Sequence, residues 1–332
     1  MADQLKDGYD VAVAGGGAAG LSGALMLARS LRSVAVIDAG APRNAAATGV
    51  HGFLSRDGIP PAELLERGRA EVRGYGGHVV SGEVSSVARA DDRFTVTLAD
   101  GRSTRARRLL VATGLVDELP DIPGLRARWG RDVVHCPYCH GWEIRGQAIG
   151  VLATGPLSVH QALLFSQLSD DVTFFSHAMA PSGEQAGELA ARGIRVIAGQ
   201  VAALEIAGDR LAGVRLSDGR LVGRDALAVS PRAAVRAGFL APLGLAAAAH
   251  PVGEHIPSEP GGRSAVPGVW VAGNVTDPAA QVGSAAAAGA FAGAHINADL
   301  VAEETSQAVA ASALRASWRH DTSATASAGR ES

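Results

Sequence analysis

Tyr9-Asp10-Val11-Ala12-Val13-Ala14-Gly15-Gly16-Gly17-Ala18-Ala19-Gly20 decides how the rest of the chain is read. Its apolar run predicts a buried strand, its glycines a tight turn, and the pattern from Ala18 to Arg32 a helix. A second apolar run, Ser33 to Ile37, then ends at Asp38. Strand, turn, helix and strand in this order form a dinucleotide-binding unit in which each glycine has a task. Gly15 allows the turn, Gly17 lets a pyrophosphate approach the backbone, and Gly20 lets helix and strand pack closely. The helix start at Ala18 and Ala19 offers free N–H groups and a positive dipole end to the phosphates. Asp38 lies 18 residues beyond Gly20, where a carboxylate accepts hydrogen bonds from a ribose hydroxyl. A lone G-x-G-x-x-G is a weak signal, and a glycine-rich turn without ligand is the bland alternative; here the flanking strands and the acid are all present.

Further along, the alternation in Arg93-Phe94-Thr95-Val96-Thr97-Leu98 and the turn at Asp100-Gly101 predict antiparallel strands leading into Arg108-Leu109-Leu110-Val111-Ala112-Thr113-Gly114. Near the other end, Val269-Trp270-Val271-Ala272-Gly273-Asn274 ends another strand, and Gln281-Val282-Gly283-Ser284 opens a small-residue helix. Both strand ends can return to one nucleotide site, which makes the first domain discontinuous: residues 1–116 and 246–332, with a disordered tail expected from about residue 303. Residues 117–245 form an inserted module with a strand-turn-helix-strand frame of its own, Gln147 to Leu152, Ala153 to Ser158, Val159 to Leu168, and Val172 to Phe175. Its fingerprint is eroded. Ala153 and Ser158 replace glycines, and Ser176-His177-Ala178-Met179 supplies neither an acid for the ribose of NADH nor arginines for the 2′-phosphate of NADPH. A nicotinamide site that is weak or lost is expected. The fold class is therefore α/β, with two three-layer Rossmann-type nucleotide-binding domains.

The 2 cysteines of the chain stand three apart in His135-Cys136-Pro137-Tyr138-Cys139-His140-Gly141. A zinc site is not expected, because tetrahedral zinc needs four ligands and no second cysteine pair completes the set. A structural disulfide here closes a very short loop and removes little entropy from the unfolded chain. Thiol-disulfide chemistry is the remaining reading, with His140 as its base near neutral pH and His135 as a second candidate. His51, after the second strand, and Trp142 read as structural residues. At 332 residues with a net charge of −3, the chain suits two domains and lacks the basic excess that a nucleic-acid partner demands. The start MADQLKDGYD has no signal-peptide core, and no apolar run approaches the ~18 residues of a membrane span, so a cytoplasmic protein is expected.

With the order flavin half-site, inserted Cys-x-x-Cys module and closing flavin segment, residues 8 to 300 resemble the low-molecular-weight thioredoxin reductases. The resemblance implies FAD in the discontinuous domain, a homodimer, and flavin contacts at Gly15, Gly17, Gly20, Asp38, Thr113, Gly114, Gly273, Gln281 and Val282, with Ala18 and Ala19 in the same loop. Asn274 stands where the family has an aspartate toward the ribitol. Two departures separate the chain from an ordinary reductase: no arginine follows Phe175 until Arg192, and His140 replaces the acid after the second cysteine. The Cys-x-x-Cys-His-Gly pattern is similar to that of the flavin dithiol oxidases that close disulfides in gliotoxin- and holomycin-type natural products. That resemblance implies a small-molecule dithiol as substrate, Cys136 as the sulfur it attacks, Cys139 facing the flavin, and oxygen as electron acceptor. The alternatives are a thioredoxin reductase acting on a thioredoxin-like protein with NAD(P)H or another reductant, and a flavin-bound redox sensor.

Overall fold

The computed structural model describes residues 4–328. The chain begins with β1 (Gly8–Ala14), α1 (Ala18–Arg29), β2 (Val34–Asp38), α2 (Pro61–Gly74), β3 (His78–Ser81), β4 (Val84–Ala90), β5 (Arg93–Leu98) and β6 (Ser103–Val111). Strand β7 (Leu115–Glu118) and the short α3 (Leu125–Arg128) lead to β8 (Val133–Val134), α4 (Pro137–His140), β9 (Ile149–Leu152), α5 (Ser158–Phe165), β10 (Val172–Phe175), α6 (Gly183–Ala191) and β11 (Arg195–Ile197). A meander follows, β12 (Val201–Ala207), β13 (Arg210–Leu216) and β14 (Leu221–Val222), then β15 (Ala226–Val229) and β16 (Arg232–Val235). The hairpin β17 (Ala248–His250) and β18 (Gly253–His255), the strand β19 (Val269–Val271) and the helix α7 (Val282–Ala328) complete the chain.

Two sheets, the first mixed and the second parallel, organise these elements as two Rossmann-type units. The first runs β3-β2-β1-β6, and β6 has a divided edge: Ser103 to Ala106 pair antiparallel with β5, whereas Leu109 to Val111 pair parallel with β19. A strand about 160 residues later in sequence thus joins the first sheet, because β6 is long enough to serve both partners. The second sheet, β11-β10-β9-β15-β8, is parallel throughout. Its central strands β9, β10 and β15 are buried along their whole length and read as continuous apolar runs, as expected for strands covered on both faces. Strand β7 pairs with β16 in a small sheet through which the chain leaves and re-enters the first unit.

Helix α7 packs on α1 almost backbone to backbone. A Cβ at Gly289 would stand 1.9 Å from the carbonyl oxygen of Ala19, and one at Gly293 would stand 2.7 Å from that of Gly23, so the small-residue run is what lets the helices meet. One sequence expectation changes here. Helix α1 stops at Arg29 rather than Arg32, because Leu31 turns the chain with φ of 62°. Helix α7 passes residue 303, where Arg32 meets Glu304 at 2.6 Å and Arg107 meets Glu304 at 2.7 Å. Residues 329–332 of the expected tail lie outside the described residues. Among the described residues, no helix is long and apolar enough to cross a membrane.

Candidate active site

One cavity of about 350 Å³ gathers the two motifs. Its wall includes Gly15, Gly17, Ala18, Ala19, Asp38, Thr113, Gly114, Gly273, Asn274, Gln281 and Val282 from the first unit, and Cys136, Cys139 and His140 from the inserted one. Of the cofactor-binding and catalytic residues expected from sequence, Gly20 alone is not in the wall; it lies behind it, where a Cβ would stand 1.9 Å from the carbonyl oxygen of Gly15. Gly15 itself has φ of 107°, and a Cβ there would strike the carbonyl oxygen of Ala112 at 2.3 Å.

Gly17 differs from both. It is the N-terminal cap of α1 with φ of −80°, and a Cβ added there meets no protein atom within 4 Å. Neither backbone strain nor packing demands glycine at this place; open space above free helix N–H groups does, and that space suits a pyrophosphate. The arrangement fits FAD. Asp38 lines the same wall, its Oδ1 accepting from Gly40 N at 3.1 Å and its Oδ2 from Arg69 Nη2 at 3.1 Å, so the carboxylate is held in place with lone pairs to spare for hydroxyls. Asn274 donates its amide Nδ2 to the carbonyls of Asp277, Pro278 and Ala280 at 3.1, 3.4 and 2.8 Å. Three acceptors around one atom fix the amide's orientation, and they explain an asparagine at this position, since a carboxylate has no hydrogen to give them.

The cysteines sit on the single turn of α4. Cys136 is its N-cap, Pro137 its first residue, and His140 N donates to Cys136 O at 3.1 Å. Gly141 lets the turn lie flat on the module: a Cβ there would stand 2.2 Å from Pro137 O and 2.3 Å from Leu168 Cδ1. Both thiols are free and half-buried. A hydrogen bond from the Cys139 thiol, helped by the amides of Cys139 and Tyr138 and the charge of Arg43, lowers the Cys136 thiol to about 7 against the opposing effect of burial. Cys139 is pushed up, first by giving that hydrogen bond and then by burial. In the reduced pair the thiolate is therefore on Cys136 and the proton on Cys139.

Two imidazoles flank the pair. His135 Nδ1 lies 3.1 Å from the carbonyl oxygen of Val229, an atom that only accepts, so Nδ1 carries the hydrogen and Nε2 is the basic atom of the neutral ring. Gln161 Nε2 donates to His135 O at 2.7 Å and fixes the backbone beneath it. Both ring nitrogens of His140 are shielded from solvent and have no hydrogen-bond partner within the protein. Burial is the chief cause that holds both imidazoles below their ordinary range, so both are neutral bases at pH 7. Sequence reasoning missed Arg43, Asp117, Arg69 and Gln161. Each acts through a partner far away in the chain, and no local pattern marks it.

Comparison with known proteins places this geometry in context. A family model described as pyridine nucleotide-disulphide oxidoreductase matches residues 9–294. The chain is 34% identical over 313 residues to thioredoxin reductase tcpT of Claviceps purpurea, covering 90% of this chain and 96% of that one. It is 31% identical over 307 residues to thioredoxin reductase sirT of Leptosphaeria maculans, covering 87% and 93%. Among solved structures, that of HlmI aligns with a TM-score of 0.88 at 47% identity, over 94% of this chain and 99% of that one. An oxidoreductase from Agrobacterium tumefaciens aligns at 0.83 and 37% identity, over 88% and 98%.

Proposed function

The chain belongs to the pyridine nucleotide-disulphide oxidoreductase family, and we propose that this FAD-dependent disulfide oxidoreductase works as a dithiol oxidase, closing a disulfide in a small molecule with oxygen as electron acceptor. The observation that carries this reading lies in the second nucleotide frame. Ser158 Oγ accepts hydrogen bonds from Thr154 N at 3.1 Å and Gly155 N at 3.3 Å. The amides that a nicotinamide dinucleotide's pyrophosphate would use are thus taken by the protein's own side chain. At the end of β10, His177 Nδ1 accepts from Val201 N at 3.0 Å, and the next arginine in the chain, Arg192, turns its guanidinium to Ser166 Oγ at 3.2 Å. A frame closed in this way supports electron entry through the thiols instead.

In the oxidised enzyme a substrate thiol gives its proton to a neutral imidazole at the cavity wall, and the thiolate attacks Cys136. The Cys136–Cys139 bond breaks, and its electron pair leaves on Cys139. The second substrate thiol then displaces Cys136, so the product departs with its disulfide and the cysteine pair holds two electrons. FAD bound in this cavity would supply the two-electron acceptor for the reduced pair and a route for those electrons to oxygen, giving peroxide. Gly15, Gly17, Ala18, Ala19, Gly20, Asp38, Thr113, Gly114, Gly273, Asn274, Gln281 and Val282 would hold it. His140 and His135 serve as bases because burial leaves them unprotonated where thiols must be ionised. Half-buried thiols set in the wall of a cavity suit a small molecule better than a protein disulfide. We read the enzyme as a cytoplasmic homodimer.

The test is anaerobic. The yellow protein is mixed separately with NADPH, NADH and dithiothreitol, and flavin bleaching is followed by stopped flow. Bleaching by the dithiol alone, reversed by air, is expected. Rapid bleaching by a nicotinamide would end the oxidase reading and establish the second one, a thioredoxin reductase, which the names of tcpT and sirT favour.

A further inference from the structure

Residues 135–140 carry both thiols, and among the described residues a single side chain hydrogen-bonds to their backbone: Gln161 Nε2 donates to His135 O at 2.7 Å. That oxygen belongs to the peptide joining His135 to Cys136. Because the peptide is planar, holding its carbonyl also fixes the direction in which the chain enters Cys136. Gln161 stands on α5 with 5% of its surface exposed, behind the turn and outside the cavity wall. Its Oε1 is shielded from solvent and has no hydrogen-bond partner. A buried acceptor left unpaired costs stability, and an apolar side chain of the same length would avoid that cost. Packing therefore gives no reason for a glutamine at this place; the carbonyl of His135 does.

The support behind Gln161 is the second nucleotide frame. Helix α5 starts at Ser158, whose Oγ holds Thr154 N and Gly155 N, and Thr154 Oγ1 donates in turn to Ser230 O at 2.7 Å. Ser230 follows Val229, whose carbonyl takes the hydrogen of His135 Nδ1 at 3.1 Å. Residue 135 is thus anchored twice, by its carbonyl to α5 and by its ring to the end of β15, and both anchors run back to the turn of residues 153–158. Strand β8 ends one residue earlier, at Val134, so the two anchors take over where the ladder with β15 stops.

We propose that Gln161 is a positioning residue for the thiol exchange: by holding the His135–Cys136 peptide from behind, it sets where the Cys136 sulfur stands in the cavity. The turn that a nucleotide would occupy serves, with α5, as the bracket of the redox turn. The inference rests on the dithiol reading above. Since Gln161 lies outside the cavity wall, its removal acts on the rate at which a bound dithiol reacts and not on how tightly the dithiol is held. A displacement of about 1 Å suffices for losses of up to about a hundredfold. The Cys136 thiol is affected as well, because its lowering depends first on the hydrogen bond from Cys139 across the same turn.

The experiment compares the wild type with Gln161→Met, a side chain of like length with no hydrogen to donate, by anaerobic stopped flow over a series of dithiothreitol concentrations. The limiting rate of flavin bleaching is expected to fall about tenfold or more, with the half-saturating concentration within about twofold of wild type. In the reduced proteins, alkylation of Cys136 by iodoacetamide is expected to follow a curve moved to higher pH in the variant. This second readout needs neither flavin nor a dithiol substrate, so it decides the matter if the variant binds flavin poorly, and Gln161→Leu takes the place of Gln161→Met if the latter does not fold. A wild-type limiting rate with an unmoved alkylation curve in a folded variant would overturn the proposal, as would a loss confined to the half-saturating concentration. A wild-type enzyme that dithiothreitol does not bleach would count against the oxidase reading itself, while a moved alkylation curve would still support the role of Gln161, which separates the two failures.

Discussion

Arg43 grips Asp117 with two prongs, Nε to Oδ2 at 2.9 Å and Nη2 to Oδ1 at 2.8 Å, and gives its remaining nitrogen to the carbonyl of Pro278 at 3.2 Å. One side chain thereby ties the loop after β2, the strand β7 that leaves the first unit, and the loop before α7. It also stands beside the cysteine pair, where its charge favours both thiolates.

Removing one partner of this half-buried pair leaves the other uncompensated. Arg43→Met is expected to cost about 2–4 kcal/mol in urea unfolding, and adding Asp117→Leu to recover a good part of it. Equal loss in the single and double variants would show that the pair does not hold these loops.

The depressed Cys136 thiol depends first on the Cys139 hydrogen bond. Alkylation of the reduced enzyme by iodoacetamide follows the thiolate, so its rate at Cys136 is expected to rise as pH increases through about 7. In Cys139→Ala the same curve moves to higher pH, toward ordinary cysteine. An unmoved curve would assign the effect to the turn's amides and Arg43 instead.

Gly17 and Gly20 separate ligand binding from folding. A Cβ at Gly17 meets no protein atom within 4 Å, whereas one at Gly20 stands 1.9 Å from a backbone oxygen. Gly17→Val is expected to leave the stability of the flavin-free protein within ~0.5 kcal/mol of wild type, aside from a propensity effect at the cap, while flavin occupancy falls at least tenfold. Gly20→Ala should instead yield little folded protein. Thermal unfolding and the absorbance of bound flavin read both outcomes.

Gly141→Ala drives a methyl into Pro137 O and Leu168. Dithiol turnover is expected to fall more than tenfold with flavin still bound, since a shift of about 1 Å at a reacting group suffices for such losses. Unchanged turnover would mean that the cysteine turn tolerates displacement.

Asn274→Asp places a carboxylate against the carbonyls of Asp277, Pro278 and Ala280 that now receive the amide. A loss of about 2 kcal/mol in stability is expected, with weaker flavin retention, while Asn274→Ser should cost less. Equal stability of Asn274→Asp and wild type would exclude the stapling role.

The cradle and the cysteine turn were legible in the chain because their information is local. A strand that ends in glycines, a helix that begins at Ala18, and an acid at the next strand end follow from steric rules over some thirty residues. The placement of Cys136 at a helix start likewise follows from Pro137 beside it. The alanine, serine and threonine content at the end of the chain says nothing of Arg32 and Arg107, which meet helix α7 at Glu304.

By itself, then, the sequence determined which backbone units form and that its two cysteines stand on one short turn. Only the tertiary structure decided what surrounds them. Arg43 reaches Asp117 across 74 positions and Gln161 reaches His135 across 26, while His51 finds Glu143 from another part of the chain. Even Ser158, four residues from Thr154, could be read only as a lost glycine until its hydroxyl was seen to occupy the amides of its own turn. Such contacts depend on which strands become neighbours and on where side chains point once packed, and neither is written in spacing along a chain.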